Sequence, residues 1–171
     1  MNVWKNRLLY GAIAGITLLA YNVILEIAGV VFAGGIMSFI NFAIVTTVFI
    51  VSMVVGIRRH SNDHFDGYIS FTQSFVHGFF IYLIADFINS LKEWYYISFM
   101  DGKQEFLMKA EGIFESLYGS GNSEYSDSMM NIIDKMFSPV PFLFITLFSV
   151  AITALIVAVI VAAFTKKEKP F

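Results

Sequence analysis

Phe142-Leu-Phe-Ile-Thr146-Leu-Phe-Ser-Val-Ala151-Ile-Thr-Ala-Leu-Ile-Val-Ala-Val-Ile-Val-Ala-Ala-Phe164 contains no charged residue. About 20 consecutive apolar residues cross the hydrocarbon core of a bilayer as a helix. This stretch therefore reads as a transmembrane helix, and three more like it lie upstream at 8–29, 36–57 and 69–91. Four such runs decide the fold class: an all-α membrane protein, a four-transmembrane-helix bundle. The segment at 98–138 between the third and fourth runs is expected to be amphipathic, helical and extracytoplasmic.

Composition agrees. The chain is 57% hydrophobic, 17% aromatic and 14% charged, against about 25% charged residues in an ordinary soluble domain. Residues 1–171 are expected to form a single integral membrane domain with no room for a soluble catalytic one. The absence of cysteine excludes disulfides, thiolate metal sites and cysteine nucleophiles. No basic face offers itself to a nucleic acid. The first run is longer than the 7–15 apolar residues of a signal peptide core, so it is expected to stay as a membrane helix.

Charge sets the expected orientation. Lys5 and Arg7 precede the first run, Arg58 and Arg59 follow the second, and Lys166, Lys167 and Lys169 follow the fourth. With four spans all seven fall on one side, which the positive-inside rule makes cytoplasmic. Both termini are then cytoplasmic, in a bacterial inner membrane. The segment from Lys92 to Ser138 carries four lysines against eight carboxylates, a local charge of −4. Trp94, Tyr95 and Tyr96 mark its interface.

Packing signals are clear. Gly11-Ala-Ile-Ala-Gly15 has the GxxxG spacing that lets helices approach closely, either within the bundle or between two copies. Ala151, Ala154, Ala158 and Ala162 offer a similar face on the fourth run. Ser61-Asn-Asp-His-Phe-Asp-Gly67 reads as a short polar turn, and Ser70 or Thr72 is placed to cap the next helix. In the outer segment Phe106, Leu107, Ala110, Ile113, Phe114 and Leu117 fall at helical spacing. A polar stretch at 119–128 breaks that helix, and 129–137 adds another turn or two. Pro139 opens the last span, as proline suits a first helical turn.

Ionisable residues inside a membrane are functional candidates by default. Glu26 lies 19 residues beyond Arg7, and Asp86 lies 18 beyond Tyr68. At about 1.5 Å per residue both sit about 27–28 Å above the inner edge. Asn22, Asn41 and Asn89 share that level, so Asn22, Glu26, Asn41, Asp86 and Asn89 form a candidate outer pocket. Two carboxylates there are able to share a proton or hold a cation. Alternatively they are simply wet, or neutralised by Lys92, Lys109 or Lys135.

His77 falls near the midplane, with Gln73 one turn below on the same face. It is expected to be a neutral ring hydrogen-bonded across helices. Nine residues at about 100° each put it opposite Asp86, which disfavours a proton relay. Gly78 permits close packing. His60, Asp63, His64 and Asp66 read as a solvated turn, so no metal site and no cofactor are expected. GxGxxG, GxxxxGK[ST], HExxH and GxSxG are all missing, and no enzyme activity is expected.

One stretch carries a resemblance. Val55-Gly-Ile-Arg-Arg-His60, then Asp66-Gly67-Tyr-Ile-Ser-Phe71-Thr-Gln-Ser-Phe75-Val-His-Gly78, is similar to the signature of bacterial domain-of-unknown-function family 4199. The resemblance implies four spans, a long outer segment before the last span, a proline near its start and a lysine-rich end. Thr72-Gln73-Ser74 stands where the family has Gly-Lys-Ala, so no lysine-dependent role carries over to Gln73. No activity is implied.

The leading expectation is a non-catalytic accessory or scaffold subunit that contacts membrane lipids and other membrane proteins or further copies of itself. The alternatives are a small carrier, proton- or cation-linked, that uses Glu26 and Asp86, or a helper of envelope lipid or glycan enzymes.

Overall fold

The computed structural model describes residues 2–29, 35–100, 102–118 and 123–168. The link at 30–34, Asp101, the glycine-containing stretch at 119–122 and Lys169 lie outside the described residues. So do the side chains of Phe114, Glu115, Leu117, Glu124 and Asp127.

The described chain is helical: α1 (Val3–Ile27), α2 (Gly35–His64), α3 (Phe71–Phe99), α4 (Gly102–Tyr118), α5 (Ser123–Met136) and α6 (Pro139–Thr165). Helices α1, α2, α3 and α6 are long and apolar enough to cross a membrane. The chain is a multi-pass membrane protein. Two compact units are distinguished, Met1–Asn89 with Ser149–Phe171, and Ser90–Phe148.

In the first unit α1 and α3 run parallel, while α2 and α6 run against them. Each contributes one buried stripe at helical spacing: Gly11, Ala14, Gly15 and Leu18 from α1, then Phe49, Met53 and Ile57 from α2. From α3 come Gly78, Ile81, Tyr82 and Ala85, and from α6 Ala154, Ala158, Val161 and Ala162. The remaining apolar faces, such as Phe39, Phe42 and Ile156, are exposed. In lipid that costs nothing, because hydrocarbon is as apolar as the side chains, and close packing of small residues holds the helices together.

The GxxxG pair is used inside the chain. A Cβ on Gly11 would lie 2.8 Å from Ile84 Cβ, and one on Gly15 would lie 2.6 Å from the Ala85 carbonyl oxygen. Both glycines are buried against α3, so self-association through them is closed. Gly78 gives the same clearance to α2, since a Cβ there would meet Met53 Cε at 2.9 Å.

Helix α2 outruns its apolar stretch. The polar turn expected from residue 61 is helical to His64. Arg59 and Asp63 pair at 3.2 Å one turn apart, while His60 and Ser61 turn inward and are buried. The helix stops where Asp66 and Gly67 take φ of 52° and 82°. A bond from Gly67 N to Ser61 O at 3.1 Å closes its end, as in glycine-terminated helices generally.

Ser70 is the cap of α3. Its Oγ accepts from Gln73 N at 3.3 Å, and Gln73 Oε1 accepts from Ser70 N at 3.0 Å. This is a capping box. Gln73 therefore serves the helix start and is exposed. Ser70→Ala is expected to cost about 1 kcal/mol, read as a lower melting temperature. Gln73→Glu should leave the melt unchanged, since a glutamate serves equally in this box.

In the second unit α4 and α5 pair through Lys103 and Asp134 at 2.8 Å. Phe106 and Phe137 stack at 4.0 Å, and Trp94 Nε1 donates to Pro139 O at 3.0 Å. α5 begins at Ser123, so the latter part of the expected 119–128 breaker is helical. Pro139 is the first residue of α6.

Candidate functional site

All five buried polar side chains among the described residues lie at one end of the first unit: Asn6, His60, Ser61, Ser74 and His77. That end holds the start of α1, the end of α2, the start of α3 and the end of α6. Backbone bonds fasten it. Ile69 N donates to Lys167 O and Lys167 N to Ile69 O, both at 2.9 Å. Ser74 Oγ and Thr165 Oγ1 are 3.0 Å apart.

His77 is the centre. Its Nδ1 accepts from Arg7 Nε at 3.3 Å, and its Nε2 meets Asn6 Oδ1 at 2.8 Å. An arginine only donates, so Nδ1 is bare, Nε2 carries the hydrogen and the ring is the neutral tautomer. His60 stacks on it, centroids 4.2 Å apart and planes 3° from parallel. Arg7 Cζ lies 4.9 Å from both the Trp4 and the Phe80 ring centres, a cation–π setting on two sides. Counted from Ile69, His77 falls near the midplane. The structure brings it level with Asn6 and Arg7 near the start of α1.

Three buried atoms at this end have no partner: Asn6 Nδ2, His60 Nδ1 and Ser61 Oγ. Buried polar groups are almost always satisfied, so three in one place set this end apart from the rest of the bundle. Of the three, Ser61 alone lines a cavity of about 400 Å³, whose wall also holds Arg58, Asn62, Thr165, Lys166 and Lys167.

The outer candidates are arranged differently. Asn22 Nδ2 donates to Asn89 Oδ1 at 2.9 Å, tying α1 to α3. Glu26 is exposed and Asp86 half-buried. Asn41 Oδ1 is buried without a partner. Three cavities of about 360–400 Å³ among the described residues take their walls from other residues. Among the described residues no group of three or more His, Asp or Glu side chains is placed to hold a metal ion.

Sequence reasoning did not single out Asn6, Ser61 or Ser74, and it read His60 as part of a solvated turn, whereas His60 is buried. Their signal was spacing. Ser61 continues the four-residue rhythm Phe49, Met53, Ile57, and Ser74 continues Gly78, Ile81, Ala85 downward. The stripe stays buried while its chemistry changes from apolar to polar.

A family model, protein of unknown function (DUF4199), matches residues 9–167. The chain belongs to this family. The match runs from the second turn of α1 to the Lys167 bridge, and so takes in His60, Ser61, Ser74 and His77 but not Asn6 or Arg7. Comparison with curated proteins and with solved structures gave no match.

Proposed function

We propose that this DUF4199 member is a non-catalytic accessory or scaffold protein of the bacterial cytoplasmic membrane, with its basic end in the cytoplasm. One observation carries the reading. The turn before α3 is bridged to the residues after α6 by the paired Ile69–Lys167 backbone bonds, which makes a fixed platform where the spans end. Arg58, Arg59, Lys166 and Lys167 stand on it, all exposed. Exposed charges on a rigid support suit docking, because little side-chain and backbone freedom is lost on binding. His77, the most deeply buried ionisable group among the described residues, is engaged in joining α1 to α3, which suits a structural part better than a catalytic one.

The partner is expected to be another membrane protein or a second copy. Cross-linking in native membranes followed by purification should recover a companion band. Lys167→Pro removes the Lys167 N–H that bonds Ile69, and should reduce that recovery while the chain still inserts. A strictly monomeric protein with no companion would sink the reading.

A further inference from the structure

We propose that the cavity between the last turns of α2 and the end of α6 binds the phosphate of an anionic phospholipid headgroup. The site shares Arg58, Lys166 and Lys167 with the proposed docking platform, but the cavity and the buried Ser61 hydroxyl carry it independently of that reading. The cavity holds about 400 Å³, and no carboxylate lies in its wall. Arg58, Lys166 and Lys167 supply positive charge, while Ser61, Asn62 and Thr165 supply hydroxyl and amide groups. Neither Arg58 nor Lys166 is paired with a carboxylate among the described residues. Of the acidic neighbours, Asp63 is paired with Arg59. Asp66 and Glu168 line a neighbouring cleft that shares Ile69 and Lys167 with this one.

The second observation is independent of charge. Ser61 is 4% exposed and its Oγ has no partner, yet it stands in the wall of this cavity. A turn about χ1 would bring this buried hydroxyl to the cavity, where a phosphate oxygen is the acceptor it lacks.

The apolar side of the same cavity points to a lipid rather than to a free ion. Ile57, Ile69 and Phe164 complete the wall, and Phe164 is 86% exposed. A headgroup seated among the basic residues leaves its acyl chains to run along Phe164 and the outer face of α6. Basic pockets at the cytoplasmic ends of membrane helices are suited to anionic lipid headgroups in general.

The test uses the full chain purified in detergent and native mass spectrometry. Phosphatidylglycerol, phosphatidylcholine and inorganic phosphate are added in separate arms. The wild type is expected to retain phosphatidylglycerol in preference to phosphatidylcholine. Removing three basic residues together, R58Q/K166Q/K167Q, is expected to weaken that retention about 100-fold, at about fivefold each. K109Q, in the other unit, should retain lipid like the wild type.

Ser61→Ala should weaken retention, and it should also raise the melting temperature without lipid, because a buried unsatisfied hydroxyl is gone. Equal retention of the two lipids by the wild type, or an unchanged preference in the triple variant, would overturn the proposal. Stabilisation by inorganic phosphate with none by phosphatidylglycerol would overturn the lipid assignment.

Discussion

Replacing Gly15 with leucine is expected to separate α1 from α3 and leave the purified protein without a cooperative melt. Gly15 is buried, and even a single added carbon would lie 2.6 Å from the Ala85 carbonyl oxygen and 2.7 Å from Ile88 Cβ. The first contact is backbone and has no rotamer to escape to. Overpacking a well-fitted site costs about 1–3 kcal/mol and more when backbone must move. Gly15→Ala is expected near the upper part of that range, and Gly15→Leu beyond it. Domains hold only about 5–15 kcal/mol in total, so the leucine variant removes a large share. Gly112→Ala is the matched control: nothing lies within 4 Å of its added carbon, and alanine favours a helix over glycine. That variant should melt at or slightly above the wild-type temperature.

His77→Phe is expected to cost about 3 kcal/mol although the ring is kept. Phenylalanine preserves the shape that stacks on His60 but has no nitrogen. Asn6 Oδ1 and Arg7 Nε then lose the partners they hold at 2.8 and 3.3 Å. Each buried group left unsatisfied costs about 1–3 kcal/mol, and more when charged. Trp4 lies beside Arg7 and Phe80, so its fluorescence reports on this end of the bundle. Trp94 is the other tryptophan of the two in the chain, and a Trp94→Phe background isolates the signal. Adding Asn6→Leu to His77→Phe should recover part of the loss, since replacing both partners by apolar groups approaches neutrality. A His77→Phe protein as stable as the wild type would remove His77 from its central place.

The membrane helices were legible because length and apolarity alone specify them. Their ends were not. Apolar counting stops at Ile57, but a helix continues as long as its backbone bonds are made and its buried face finds partners, and α2 finds them in His60 and Ser61. The same blindness hid the polar end. A search for chemistry inside the membrane settles on Glu26 and Asp86, the charges within apolar runs. The buried polar cluster forms instead where Asn6, Arg7 and His60 look like ordinary flanking residues. His77 was visible as a buried histidine, but its partners lie about 70 positions away in sequence, and spacing within one helix carries no information about them. Gly11 and Gly15 announced close packing, but the helix they receive, α3, came only from the fold.

The central claim is that four spans place the whole basic end in the cytoplasm. The chain has no cysteine, so single cysteines are clean reporters. Asn62→Cys marks the basic end beside the cavity, and Lys109→Cys marks α4. With a membrane-impermeant maleimide on right-side-out cells, Lys109→Cys should label at once and Asn62→Cys only after permeabilisation. Labelling of Asn62→Cys in sealed cells would contradict the orientation, and labelling of both positions from the same side would contradict the four-span fold itself.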